Sequence, residues 1–103
     1  MTGDTFKRLR VGDMIEMDEI TYRVLEKDRM GRTKLKKMVC SFYDSHGYDD
    51  YDTFAEAERA KQQAIDDADT EADIERLERE EIDWRLDHYA KPFWMHYKDI
   101  EED

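Results

Sequence analysis

The sequence has a single cysteine, Cys40, among its 103 residues. One cysteine cannot form an internal disulfide, so a reducing compartment fits the chain best. No stretch approaches the run of about eighteen apolar residues that a membrane-spanning helix needs. The first ten residues, MTGDTFKRLR, have no apolar run behind their charges, so we expect no signal peptide and a cytoplasmic location.

The motifs of common catalytic sites are also missing. The sequence contains no glycine-rich phosphate loop, no nucleophile elbow and no zinc-protease motif. Cys40 lies inside an apparent strand with no base nearby in sequence, which favours a core role. Carboxylates abound, but an acid–base pair needs one member desolvated in a cleft, and a chain with so few apolar residues rarely builds one. We therefore expect a protein that is not an enzyme and has no cofactor.

Charge is what the chain has in excess. Charged residues make up 44% of the sequence and hydrophobic ones 39%, so the core must be thin, although 12% aromatic residues still favour a folded chain. The net charge of −11 is unevenly placed, because residues 1–43 carry +3 and residues 44–103 carry −14. A chain this polarised typically meets a charged partner or its own oppositely charged half.

Alternation of apolar and polar residues predicts three strands in the first half. MIEM (14–17) and ITYRVLEK (20–27) are separated by a reversal at Asp18 and Glu19. TKLKKMVCSFY (33–43) follows a turn, and its alternation slips at Lys36-Lys37, where a bulge is expected. The pattern predicts an antiparallel meander, which can curl into a small SH3-like half-barrel.

The second half predicts a loop, two helices and a tail. DSHGYDDYD (44–52) has no apolar period and indicates an acidic loop. Thr53 and Thr70 are suited to cap helices over 54–68 and 71–90, and Pro92 cannot continue the second helix. We therefore expect an α+β fold in one domain, 1–103, with a small three-stranded antiparallel sheet followed by two C-terminal helices. Its parts are a β meander (1–43), the acidic loop (44–52), a helical part (53–90) and an aromatic, acidic tail (91–103).

The segment IDDADTEADIERLEREEID (65–83) carries ten carboxylates and two arginines. On a continuous helix five carboxylates share a sector of about 80°; they are Asp69, Asp73, Glu80, Asp83 and Asp87. The net charge of the segment corresponds to about one charge per 3.5 Å, near the ~3.4 Å spacing along one DNA strand. This spacing predicts a face that imitates nucleic acid. The alternative is an ordinary solvated helix face with pairs such as Glu75–Arg79.

A basic segment, RMGRTKLKK (29–37), opposes this acidic one. Its cations are Arg29, Arg32, Lys34, Lys36 and Lys37. A basic β-ribbon can bind nucleic acid, although the net charge of the chain repels it at long range. The other interpretations are a solvated edge strand protected by lysines, or a docking surface for the acidic half of this chain or of a second copy.

The predicted acidic loop also has the residue types of a cation site. It collects Asp44, His46, Asp49, Asp50 and Asp52. Their spacing fits neither an EF-hand loop nor a zinc pattern, and aspartate is common in turns, so we expect no bound metal.

Aromatic residues gather toward the C-terminal end. Trp84, Tyr89, Phe93 and Trp94 exceed what two thin helices can bury. Because tyrosine and tryptophan anchor many interfaces, we expect a docking patch or a homodimer seam there.

In size and charge the chain resembles the small acidic single-domain proteins that phages encode to occupy host proteins. This resemblance implies a non-catalytic inhibitor. The leading hypothesis is therefore an acidic binding protein that imitates nucleic-acid charge and occupies the basic groove of a nucleic-acid-handling protein. The alternatives are a nucleic-acid-binding regulator acting through the basic hairpin 29–37, or a structural or assembly subunit.

Overall fold

One long strand, β3 (Arg32–Asp44), is the common partner of most other strands. The structure is a computed structural model that describes residues 2–44 and 47–100. The remaining elements, in chain order, are α1 (Gly3–Lys7), β1 (Met14–Met17), β2 (Ile20–Lys27), β4 (Gly47–Tyr51), α2 (Phe54–Asp66), α3 (Glu71–Arg79), β5 (Asp83–Leu86), β6 (Phe93–His96) and a 3-10 turn (Tyr97–Asp99).

The six strands found in residues 2–44 and 47–100 form one antiparallel sheet. Its main order is β1-β2-β3-β4, and β5 and β6 each pair with β3 as well. The α+β class is therefore confirmed, but the prediction of a three-stranded meander or SH3-like half-barrel is wrong. The three further strands, β4, β5 and β6, lie in the segments predicted to be the acidic loop, the second helix and the tail.

The first missed strand is β4, in the predicted acidic loop. It pairs with the end of β3, and Tyr48 lies opposite Tyr43 with the two rings 5.3 Å apart at their centroids. Tyr51 stacks on Phe42 at 5.9 Å. Cross-strand aromatic contacts of this kind stabilise a strand whose aspartates have low β propensity, so composition misled the prediction.

The second predicted helix, 71–90, is wrong beyond α3, which ends at Arg79. From Ile82 to Leu86 burial alternates: Ile82, Trp84 and Leu86 are half-buried, and the residues between them are exposed. This period of two is that of a strand, and pairing with β3 determines the outcome. The predicted tail likewise contains β6.

Other predictions are confirmed with small changes. β1 and β2 have the predicted bounds, β3 is one residue longer at each end, and α2 is two residues shorter than 54–68. The hydroxyls of Thr53 and Thr70 accept the backbone N–H groups of Glu56 and Asp73 at 3.1 and 3.2 Å, as N-caps do. The bulge was placed wrongly, because the register shift lies between Val24 and Glu26 of β2.

The chain forms two compact units. Unit 1 consists of Met1–Met38 and Leu86–Asp103, and unit 2 of Val39–Arg85. The core of unit 1 contains Phe6 of α1, Ile15, Val24 and Leu35. Burial of these side chains stabilises the fold by roughly 1.5–3 kcal/mol each.

Unit 2 has its own buried residues on β3 and the helices. Val39 and Phe42 are buried on the strand, and Ala57 and Leu77 are buried on α2 and α3. The two helices contact each other, and α2 contacts β4. The alanines of α2, of which Ala57 is fully buried, allow this close packing. No helix within residues 2–44 and 47–100 has the length and apolarity to cross a membrane.

Candidate interaction surfaces

The five carboxylates of the predicted acidic face do not lie on one helix. Asp73 is in the first turn of α3 and Glu80 is its C-cap. Asp83 is on β5, and Asp87 follows that strand. The prediction of a shared helical sector was wrong because α3 ends at Arg79. The charge spacing of about 3.5 Å, which assumed a continuous helix, therefore does not extend past that residue.

Asp87 takes part in the structure of unit 1. Its backbone N–H donates to the carbonyl oxygen of Lys37 at 2.9 Å, and its carboxylate lies 3.8 Å from the Lys37 ammonium. The same carboxylate accepts the backbone N–H of Tyr89 at 3.0 Å. Asp87 was predicted to belong to the acidic face and Lys37 to the basic hairpin, but the two residues form an ion pair with each other.

The excess negative charge of the chain belongs to unit 2. Residues 39–85 carry sixteen carboxylates and five lysines or arginines, a net charge of −11. The rest of the chain carries twelve of each and is neutral. The charge polarity predicted along the sequence therefore becomes a difference between two compact units.

A groove in unit 2 combines part of this charge with an apolar floor. Its volume is about 510 Å³. Four carboxylates line it, those of Asp44, Asp67, Asp69 and Asp73, together with Arg76 and the small side chains of α2. Two of the predicted partner-binding carboxylates, Asp69 and Asp73, therefore lie in the same groove.

Several cations of unit 2 already have partners. Arg85 donates to the carboxylate of Asp50 and lies over the ring of Tyr48 at 5.8 Å from its centroid. The ammonium of Lys61 donates to the carbonyl oxygen of Glu80. Arg76 lies over the ring of Tyr43. Lys61 and Arg76 thus contact backbone and a ring respectively, and the unit as a whole keeps its net charge of −11.

The cations of the basic hairpin separate into three groups. Lys37 pairs with Asp87, and Arg29 lines a pocket with Lys7 and Lys27 at the end of β2. Arg32, Lys34 and Lys36 alternate along β3, so they share one face. Arg23 lies opposite Lys36 on that same face. Arg23 was not among the predicted cations, although alternation along ITYRVLEK (20–27) places it on the face opposite Tyr22 and Val24.

The four aromatic residues of the predicted docking patch or homodimer seam are divided between the two units. Trp84 is half-buried in unit 2. In unit 1 Tyr89 is 88% exposed, Phe93 39% and Trp94 42%. Phe93 meets Tyr22 edge to face at 5.5 Å, whereas Trp94 lies near two cations of β3.

Cys40 and the acidic strand β4 carry the remaining residues that the sequence singled out for their chemistry. Cys40 is fully buried, and burial raises the pKa of its thiol to about 11, so the thiol is uncharged near neutral pH. In residues 2–44 and 47–100 no three potential ligands are grouped to hold a metal ion. Asp50 instead meets Arg85, and His46 lies outside the described residues.

Comparison with protein-family models, with curated proteins and with solved structures finds no significant match to this chain.

Proposed function

We propose that the protein is a non-catalytic binding protein whose acidic unit, 39–85, occupies a basic groove on a nucleic-acid-handling protein. The observation that supports this role is the confinement of the whole net charge of −11 to one compact unit. A dense set of exposed carboxylates attracts a basic surface at long range and presents the charge that such a surface normally binds. Occupying the groove excludes nucleic acid from it, which makes the protein an inhibitor.

The groove between α2 and α3 suits the side chains of a basic partner. The aliphatic stem of a lysine or arginine can lie on Ala64 and Ala68, while its charged head meets Asp69 or Asp73. The remaining carboxylates of the unit set the long-range attraction. Binding of this kind weakens as salt is added, because its main term is electrostatic.

The test compares two variants that lose the same charge in different units. The unit 2 variant carries Asp69→Asn, Asp73→Asn, Glu80→Gln and Asp83→Asn. The unit 1 control carries Asp4→Asn, Glu16→Gln, Asp18→Asn and Glu19→Gln. Asp87 is left unchanged in both because it pairs with Lys37. To find the partner, immobilised wild-type protein captures proteins from a lysate. Those that added DNA displaces are then purified, and the variants are titrated against each of them.

We expect the unit 2 variant to bind the purified partner about 4-fold or more weakly than wild type. Four charge pairs with the partner, each worth about 0.2–1 kcal/mol, are lost in that variant. The unit 1 control should stay close to wild-type affinity. If both variants bind equally and more weakly than wild type, net charge alone determines binding. If both bind as tightly as wild type, the proposal is refuted.

A further inference from the structure

One face of the sheet in unit 1 is basic and aromatic. Antiparallel partners share a face, and residues two apart on a strand return to it. Lys34 lies opposite Trp94 on one side and Glu26 on the other, Lys36 lies opposite Arg23, and Arg32 lies opposite His96. The reverse face is the core, where Val24, Thr33 and Leu35 are buried. The basic–aromatic face therefore comprises Arg23, Glu26, Arg32, Lys34, Lys36, Trp94 and His96.

Trp94, on β6, is the exposed aromatic residue of this face and lies beside Lys34. Its side chain is 42% exposed. The guanidinium carbon of Arg32 lies 5.3 Å from the ring centroid and the ammonium of Lys34 lies 5.9 Å from it, both within cation–π range. An exposed tryptophan flanked by two cations gives one place where an aromatic ring can stack and an anion can be neutralised.

The strand that carries Trp94 is firmly held. Tyr97 donates its backbone N–H to the carbonyl oxygen of Gly31 at 3.2 Å, and a ring nitrogen of His96 lies 2.8 Å from the carbonyl oxygen of Met30. Gly31 has φ +86°, and a Cβ there would lie 2.6 Å from the Tyr97 ring. These contacts fix β6 against the β2–β3 turn, so the ring of Trp94 is positioned before a ligand arrives.

We propose that this basic–aromatic face binds single-stranded nucleic acid. A base stacks on Trp94 beside the Arg32 guanidinium, and the adjoining phosphates meet Lys34, Lys36 and Arg23. Sheet surfaces with exposed aromatic residues and basic neighbours bind single strands in this way, because unpaired bases offer their faces for stacking. The proposed role of the acidic unit does not depend on this site.

The carboxylates near the site do not prevent phosphate binding. Asp28 pairs with Arg32 at 2.6 Å and Glu26 pairs with Lys34 at 3.6 Å. The side chains of both cations are partly exposed, and exposed ion pairs contribute little, so a phosphate can share or replace the carboxylate. Arg23 and Lys36 have no ion pair within the described part of the chain.

The chemistry of the face favours a single strand over two other anionic partners. A duplex keeps its bases stacked on one another, so it can use the cations but not the open ring of Trp94. An acidic peptide likewise meets the cations and has no base to stack. Dependence on the Trp94 ring therefore separates the proposed ligand from both.

The first measurement detects stacking directly. In a Trp84→Phe background Trp94 is the remaining tryptophan, and an oligodeoxythymidine should quench its fluorescence at low salt. Anisotropy of a labelled oligodeoxythymidine then gives affinities of further variants. We expect Trp94→Leu to weaken binding by about 5- to 100-fold, because a stacked base is lost, while Trp94→Phe should retain most of the affinity.

The second measurement tests the cations. Lys34→Gln combined with Lys36→Gln should reduce the slope of log affinity against log salt by about 1.4, since each single-strand phosphate contact contributes about 0.7. The control, Lys91→Gln with Lys98→Gln, removes the same charge from exposed positions in unit 1 outside the basic–aromatic face, and its slope should equal that of wild type.

Three results would overturn the proposal. They are equal affinity of Trp94→Leu and wild type, equal binding of duplex DNA and of the oligodeoxythymidine, or equal binding of polyglutamate. The last would identify the face as a general anion surface. Far-UV circular dichroism of each variant checks that it is folded. If the basic–aromatic face does not bind single-stranded nucleic acid, the proposed role of the acidic unit still stands or falls on its own titrations, because those use different variants.

Discussion

At the scale of single residues, the β1–β2 turn shows a backbone conformation that its own side chains do not favour. Asp18 and Glu19 have φ of +51° and +69°, between the paired residues Met17 and Ile20. A two-residue hairpin turn with positive φ at both positions favours Asn followed by Gly. Sequence alternation predicted the reversal here, but aspartate and glutamate gave no indication of its left-handed conformation.

We predict that Asp18→Asn combined with Glu19→Gly stabilises the protein by about 0.5–1 kcal/mol. Relief of the left-handed conformation contributes about 1–2 kcal/mol, and the greater chain entropy of glycine offsets part of it. Urea unfolding measures the change. The matched control, Asp4→Asn with Glu16→Gln, removes the same two charges and should leave stability nearly unchanged. A double variant no more stable than this control would contradict the turn geometry.

At the scale of elements, the region after α3 shows how pairing overrides a helical pattern. The segment EEIDWRLD (80–87) was predicted to belong to the helix 71–90. On a helix Trp84 would lie on the side away from Ile82 and Leu86, whereas in a strand the three residues share one face. Alternating Ile82, Trp84 and Leu86 become half-buried on one side once β5 pairs with β3. A short apolar segment is compatible with either period, so the available partner strand decides.

We predict that Asp83→Thr and Glu78→Thr, which remove the same charge, change stability in opposite directions. Threonine favours an exposed strand position over aspartate, so Asp83→Thr should raise the free energy of unfolding by up to about 1 kcal/mol. In α3, threonine replaces the better helix former glutamate, so Glu78→Thr should lower it by roughly 0.5 kcal/mol. Urea unfolding at constant ionic strength measures both, and a loss of stability in both variants would argue against a strand at 83–86.

At the scale of the whole molecule, charge opposes some associations and favours others. Copies of a chain with net charge −11 repel one another, whereas a basic protein is attracted to unit 2. Salt screens both effects. Self-association should therefore strengthen with added salt, while binding to a basic partner or to single-stranded nucleic acid should weaken.

We predict self-association through the exposed aromatic residues of unit 1, strengthened by salt. Tyr89, Phe93 and Trp94 expose apolar area that a second copy can cover. Sedimentation velocity at low and high salt measures the effect, and Tyr89→Ser combined with Trp94→Ser should abolish it. Tyr48→Ser, which removes an exposed aromatic from unit 2, is the control. A monomer at high concentration and high salt would exclude the homodimer.

The sequence by itself determined the local features of this protein. Alternation located β1, β2 and β3. A threonine followed three residues later by an acidic residue, Thr53 by Glu56 and Thr70 by Asp73, located the starts of α2 and α3. These signals depend only on neighbours in the chain. Only the tertiary structure decided that 47–51, 83–86 and 93–96 are strands, since a segment this short becomes a strand only when a partner such as β3 offers its hydrogen bonds. The same pairing decided the candidate surfaces. Asp83 and Asp87 do not lie on a helix face, and Trp94 lies opposite Lys34. Lys34 and Trp94 are too far apart in sequence for a local pattern to predict their contact.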